Sequence, residues 1–204
     1  MERTTEGVPV RAREALRATG FPQLARHAGE LAPDASLVDA RGRVVRLSDF
    51  WRERPLVVLF YRGEWCGACM RQLRAWEAHA TALRQAGARL VAISPEGGDR
   101  LRSTIRRQEL SFVLTSDPAL DVASRFGVAL SVPPEVVDLY AYLGADPAVL
   151  DVTGHWLQPV PATFLVGTDG TILFSRVDLD GRERTPPAEV LKAIPRCTED
   201  GLQA

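Results

Sequence analysis

Residues 55–61, PLVVLFY, form an unbroken apolar run rich in β-branched side chains, the pattern of a strand covered on both faces. ARLVAIS (88–94) has the same character, and SFVLTSD (111–117) reads as a shorter strand. Between the first two, Met70, Leu73, Trp76, Ala80 and Leu83 recur every three or four positions. That spacing predicts one helix starting near Cys66 and stopped by Gly87. A polar helix is expected over 98–109, and a helix opened by a proline over 118–128. In PATFLVGTDGTILFSRVD (161–178) two apolar runs meet at Asp169-Gly170, a strong hairpin pattern. A weaker alternation in SLVDARGRVVRLSDF (36–50) turns at ARGR and predicts an N-terminal hairpin. Short helices are expected at 10–19, ended by Gly20, and at 186–194.

Strands alternating with helices predict an α/β fold, with a mainly parallel central sheet flanked by helices on both faces. The closing hairpin adds antiparallel strands, so the sheet as a whole is mixed. Residues 130–158 break the alternation with prolines, Tyr140, Tyr142, His155 and Trp156. They read as one insertion, helical around 134–144. The expected organisation is a helical extension over 1–30, one domain over 31–197 carrying that insertion, and a tail over 198–204.

Composition narrows the function classes. The 204 residues are 46% hydrophobic and 25% charged, as in a globular protein. A net charge of −1 gives no electrostatic case for nucleic acid or an anionic membrane as partner. The basic residues are nearly all arginine, Lys192 being the single lysine. The N-terminus has no apolar core of signal-peptide length, and no apolar run spans a bilayer. The expected location is cytoplasmic, and a homodimer is left open.

Chemistry concentrates in LFYRGEWCGACMRQL (59–73). A strand ending near Tyr61 and a helix beginning near Cys66 put Cys66 at the helix N-terminus, with Cys69 one turn further on the same side. Unpaired backbone N–H groups and the positive end of the helix dipole favour a thiolate there. A C-x-x-C pair beside a βαβ pattern points to a thioredoxin-like redox site. A structural zinc site needs four ligands. The remainder here is Cys197 and three isolated histidines, His27, His79 and His155, none at ligand spacing. Neither a metal nor an organic cofactor is expected.

EWCGAC resembles the thioredoxin active site, with Ala68 where thioredoxins usually carry proline. Over about 31–194 the chain resembles the peroxiredoxin-like branch of the alkyl hydroperoxide reductase/thiol-specific antioxidant superfamily. RVVRLSDF, VVLFYRGEWCGACMRQL, LVAISPE, TSDPALDVASRFGV and PATFLVGTDGTI carry that resemblance. It implies a thioredoxin-like fold, reduction of a peroxide, and an external thiol reductant such as a thioredoxin system. The departures are specific. In the P-x-x-x-T-x-x-C pattern of typical peroxiredoxins, Arg62 stands at the proline position and Cys66 at the threonine position. Cys69 stands at the position of the peroxide-attacking cysteine. The family's arginine before the TFLV-like strand is replaced by Pro161, which matches the cis-proline of thioredoxins. The acid that thioredoxins bury six residues before their first cysteine is replaced by Phe60.

The position at the helix start favours Cys66 as nucleophile, with Cys69 closing the disulfide. Lowering a thiol pKa from about 8.5 to about 7 raises the thiolate fraction about 16-fold, but nucleophilicity falls by about 5-fold. An acidic thiol alone therefore gains little, and donors facing the peroxide oxygens are needed. Arg62 is the nearest candidate, with Arg125 and Arg176 behind it. Tyr61 and Trp65 are candidate substrate contacts, and Val160 and a cis Pro161 candidate backbone contacts. Glu64 is a candidate proton carrier. Tyr140, Tyr142 or Trp156 can lid the pair, and Cys197 is a third, more distant thiol. A disulfide reductase and a non-enzymatic redox sensor or binding module are the two other readings.

Overall fold

A computed structural model describes residues 21–142, 144, 154, 156–178 and 184–195. The N-terminal helix expected at 10–19, His155 and Cys197 lie outside these residues.

Nine strands and seven α-helices follow Phe21–Leu24, a short 3-10 turn, among the described residues. In chain order they are β1 (Ser36–Asp39), β2 (Val44–Arg46), α1 (Ser48–Trp51), β3 (Leu56–Phe60), α2 (Gly67–Ala78), α3 (Ala80–Gln85) and β4 (Arg89–Ser94). Next come α4 (Gly98–Gln108), β5 (Val113–Ser116), α5 (Asp121–Arg125), β6 (Ala129–Ser131) and α6 (Pro134–Tyr142). The series closes with β7 (Leu157–Pro159), β8 (Ala162–Val166), β9 (Ile172–Val177) and α7 (Pro187–Ala193).

Seven strands form one sheet in the order β2-β1-β5-β4-β3-β8-β9. Only the central pairings, β5–β4 and β4–β3, are parallel; β1, β2, β8 and β9 join antiparallel. The sheet is therefore mixed, with a parallel centre narrower than the alternation predicts. The physical reason is the two hairpins, one added at each edge.

Period-two alternation splits the apolar run of β3 between two cores. Leu56, Val58 and Phe60 face one side with Val91, Ile93, Phe126 and Phe164. Val57, Leu59 and Tyr61 face the other with Leu90, Ala92, Cys66 and the α2 residues Cys69, Met70, Leu73 and Trp76. The strand has to be apolar throughout because both of its faces are covered.

Three local predictions are corrected. The helix expected from Cys66 to Gly87 breaks at His79, whose φ of −105° and ψ of 4° interrupt the turn. Its ring Nδ1–H donates to Ala75 O at 2.8 Å, occupying a carbonyl of the preceding turn. The helix expected from Pro118 begins only at Asp121, because Leu120 is held at a left-handed φ of 55°. Asp117 caps it, its carboxylate accepting the Ala123 N–H at 2.9 Å. The insertion also holds a second, two-stranded sheet, β6 with β7, invisible in runs of three residues.

The segment before β1 packs onto the domain. Gly29 N–H donates to Ile172 O and Ile172 N–H to Glu30 O, both at 2.8 Å. Gly127, at φ +69°, lies so close to this segment that a Cβ would sit 1.9 Å from Leu24 O. Gly29, at φ +92°, has open space around the same position. Gly127→Ala is therefore expected to lower the unfolding free energy by several kcal/mol through backbone displacement, and Gly29→Ala by only about 1 kcal/mol through φ strain. Urea denaturation midpoints of the two variants measure the difference, and equal losses would contradict this packing.

Candidate functional site

The site sits where β3 hands over to α2. Tyr61 N–H still donates to Ile93 O at 3.0 Å, so the chain leaves the sheet only after it. Residues 62–65 then turn the chain into the helix. Gly63 has a φ of +143°, and a Cβ there would lie 2.7 Å from Glu96 Oε1, so the turn closes directly on that carboxylate. Cys66 is the extended N-cap residue of α2, and its sulfur accepts the Cys69 N–H at 3.3 Å. Cys66 and Cys69 are joined by a disulfide with their Cα atoms 5.2 Å apart. Cys66 keeps 7% of its surface exposed and Cys69 none, so the first sulfur is the one a reagent reaches.

Two arginines, Arg62 buried and Arg184 partly buried, make this end of the helix electropositive. Arg62 is 6% exposed, its guanidinium 4.8 Å from the centroid of the Tyr140 ring. Arg184 Nη2 lies 3.9 Å from Cys69 Sγ. Burial first, and the Arg62 charge second, push the Arg184 pKa down to about 10, which still leaves it charged at neutral pH. Tyr140 also packs on Trp65 at 5.6 Å between centroids and edge-on to Trp156 at 6.0 Å. The insertion thus covers the approach to the pair with Tyr140, backed by Trp156. Tyr142 is 78% exposed and takes no part.

Residues 28–175 match the family model described as the AhpC/TSA family. The chain belongs to that family. It is 32% identical to chloroplastic peroxiredoxin Q of Sedum lineare over 127 residues, 62% of this chain and 64% of that protein. It is 34% identical to peroxiredoxin Bcp of Escherichia coli over 101 residues, 50% of this chain and 64% of that one. The matches thus span just under two thirds of these relatives' own length. The fold is shared with peroxidoxin BcpB of Mycobacterium tuberculosis, with a TM-score of 0.65, 21% identity, and coverage of 82% of this chain and 94% of that one. Peroxiredoxin Q of Xanthomonas campestris gives a TM-score of 0.63 at 18% identity, with 82% and 96% covered. The thioredoxin-like α/β fold expected from the sequence is the observed one.

The other AhpC/TSA candidate residues divide sharply. Arg62, Trp65, Cys66 and Cys69 come together. Tyr61 is fully buried in the core under α2, and burial raises its pKa, so its hydroxyl faces no substrate. The Val160–Pro161 bond is trans, in contrast to the expected cis form. Backbone bonds hold this stretch from both sides: Val160 N–H donates to Val128 O and Asp178 N–H to Pro161 O, each at 2.8 Å. Val160, 1% exposed, therefore offers no N–H to an extended substrate. Arg125 pairs with Asp121 and Arg176 with Glu189 on exposed surfaces, away from the sulfurs. Glu64 turns its backbone N–H to Glu96 Oε1 at 2.9 Å, and its carboxylate lies 3.9 Å from Arg107. His27 and His79 form no cluster with other metal-ligating side chains among the described residues.

Two site residues escaped the sequence reading. Arg184 arrives from beyond the β8–β9 hairpin, in RERTPP, a stretch with no periodicity to flag it. Glu96 follows β4, and its signal was available: ligand sites gather at the carboxyl ends of parallel strands. It is 6% exposed and borders a cleft of about 250 Å³ together with Arg62, Trp65 and Gln158. Burial, with Glu64 nearby, pushes its pKa up to about 7, although the Glu64 N–H pulls the other way.

Because Glu96 holds its proton more tightly folded than unfolded, its contribution to stability is greatest below its unfolded pKa of about 4.5. That contribution is lost as pH rises toward about 7. The oxidised protein is therefore expected to lose on the order of 3 kcal/mol relative to Glu96→Gln between pH 4.5 and 7.5. Urea unfolding of both proteins across that range measures it, and a pH-independent gap would show that Glu96 titrates normally.

Proposed function

We propose that the chain is a thiol-dependent peroxidase that works through a dithiol–disulfide cycle at Cys66 and Cys69. The observation that carries this reading is the bonded sulfur pair at the N-terminus of α2, with Arg184 at 3.9 Å from Cys69 and buried Arg62 in the turn before Cys66, in a member of the AhpC/TSA family. Relatives named peroxiredoxin Q and Bcp support peroxide as the oxidant.

In the reduced protein, Cys66 is the attacking thiolate. The α2 backbone N–H groups and the Arg62 and Arg184 charges lower the energy of that anion. It attacks one peroxide oxygen, the O–O bond breaks, and a proton converts the leaving alkoxide to an alcohol. Cys66 becomes a sulfenic acid. Arg62 donates to the peroxide oxygens as charge builds on them. The Cys69 thiol then displaces water from the Cys66 sulfenic acid, which forms the disulfide. An external thiol, of the thioredoxin type or smaller, attacks Cys66 and expels Cys69 as a thiolate beside Arg184. A cytoplasmic setting belongs to the same reading, since a reducing compartment supplies that thiol.

A second assignment exchanges the sulfurs. It is favoured by the Arg184–Cys69 contact and by the alignment of Cys69 with the family's attacking cysteine. Cys66→Ser and Cys69→Ser separate the two. Cys66→Ser is expected to lower hydrogen peroxide consumption with dithiothreitol at least about 100-fold, and Cys69→Ser less, because dithiothreitol reduces the stranded sulfenic acid directly. A dimedone-type probe is expected to trap sulfenic acid in Cys69→Ser and not in Cys66→Ser; the opposite pattern exchanges the roles. Arg184→Met is expected to lower turnover on the order of 100-fold, as for loss of one charge-stabilising donor. If wild type consumes no peroxide but reduces insulin disulfides, the chain is a disulfide reductase; inertness in both assays points to a sensor.

A further inference from the structure

The cleft at the turn that leads into Cys66 is built for more than a peroxide. Its wall runs from Arg62 and Trp65, which lead into Cys66, past Pro95 and Glu96 after β4, to Gln158 on β7. Three side chains in that wall are more than nine-tenths buried: Arg62 at 6% exposure, Glu96 at 6% and Gln158 at 4%. Each carries a solvent-shielded atom without a hydrogen-bond partner among the described residues: Arg62 Nε, Glu96 Oε2 and Gln158 Oε1. An unpaired buried polar atom costs on the order of 1–3 kcal/mol, so three around one cleft mark a site that a ligand completes. Arg100 stands half-exposed at the mouth, 4.0 Å from Glu96 Oε1.

The chemistry of the three atoms is complementary to a zwitterion. Arg62 Nε–H is a cationic donor that matches a carboxylate. Glu96 Oε2 and Gln158 Oε1 are acceptors that match an ammonium. Burial keeps the Glu96 carboxyl reluctant to ionise even with Arg100 at 4.0 Å, and an ammonium would add to that one distant cation. At roughly 30 Å³ per water-sized volume, the 250 Å³ cleft holds about eight heavy atoms, the size of one free amino acid. Hydrogen peroxide would leave most of it empty.

We propose that this cleft seats the α-amino acid end of a small thiol, carboxylate on Arg62 and ammonium between Glu96 and Gln158, which reduces the Cys66–Cys69 disulfide. The inference rests on the dithiol–disulfide reading above. The incoming thiolate bonds to Cys66 Sγ, the Cys66–Cys69 bond breaks, and its electron pair stays on Cys69 Sγ. A second thiolate attacks the bound thiol's sulfur and releases Cys66 as a thiolate. In sum, two thiols become one small disulfide and the protein regains two thiols. Cysteine and γ-glutamylcysteine both carry the required head group, and the longer chain reaches further from the cleft.

The test is steady-state peroxide turnover with different reductants, compared at equal thiolate concentration. L-cysteine or γ-glutamylcysteine is expected to saturate, and whichever gives the lower KM identifies the reach. Cysteamine, which lacks the carboxylate, and 3-mercaptopropionate, which lacks the ammonium, are each expected to show a KM at least about tenfold higher. In Glu96→Gln the ratio of the KM for the amino-acid thiol to that for dithiothreitol is expected to rise at least about tenfold. Equal KM values across the thiol series, or an unchanged ratio in Glu96→Gln, would overturn the proposal. The thiol series needs only wild type, so it decides the matter even if the variant fails to fold. Failure of all turnover with dithiothreitol would instead sink the underlying peroxidase reading.

Discussion

The whole site hangs on one capping interaction, the Cys66 sulfur accepting the Cys69 N–H at the opening turn of α2. A helix leaves its first N–H groups without partners, and an acceptor side chain at the N-cap removes part of that deficit. Here the acceptor is also the sulfur bonded to Cys69. Helix initiation, sulfur placement and the electrostatic bias toward thiolate are therefore set by the same atoms. The family pattern has threonine at this position, itself a good N-cap residue. Cysteine keeps an acceptor there and adds a nucleophile. The neighbouring departure, arginine where the pattern has proline, puts a cation beside that nucleophile.

Legibility in the sequence followed the range of the forces involved. Short-period patterns marked β3, β4, the α2 apolar face and the β8–β9 hairpin, because each buries a repeating face. The pair Cys66–Cys69 was legible for the same reason: strand end, short turn, helix start. What failed was decided by backbone angles and side-chain partners, near or far in sequence, that no periodicity marks. Leu120 takes a left-handed φ while packing as a core residue, and Asp117 rather than Pro118 starts α5. Arg125 and Arg176 looked equivalent to any other arginine in sequence, and exposed acids claim them. Arg184 reaches the sulfur across 115 positions of chain, which no local pattern encodes. Val160–Pro161 resembled a substrate edge in sequence, yet its N–H is already spent on Val128.

The buried charges in this site oppose one another in a way that suits redox chemistry. Two guanidiniums near one disulfide repel, and part of the Arg184 shift comes from Arg62. A thiolate on Cys69, 3.9 Å from Arg184 Nη2, relieves part of that repulsion when reduction opens the disulfide. The Tyr140 ring lowers the cost of burying Arg62 by offering its face to the guanidinium. The insertion is therefore part of the electrostatics as well as a cover, since removing Tyr140 would leave Arg62 buried without its π partner.

Glu96 introduces the opposite charge in the cleft that Arg62 also lines, and the backbone shows how firmly it is held there. Gly63 has no room for a Cβ against Glu96 Oε1, and the next N–H, of Glu64, donates to that same oxygen. The turn that delivers Cys66 is thus folded around a carboxylate. A carboxylate held against the turn that precedes the attacking sulfur would raise the energy of a thiolate if it were ionised and unscreened. Its pKa of about 7 resolves the conflict: near neutral pH the group is about half protonated, so its negative charge is partly withdrawn. Arg100, 4.0 Å from Glu96 Oε1, offsets part of the remainder. The site can therefore hold an acid close to its sulfurs without losing the electropositive character on which the thiolate depends.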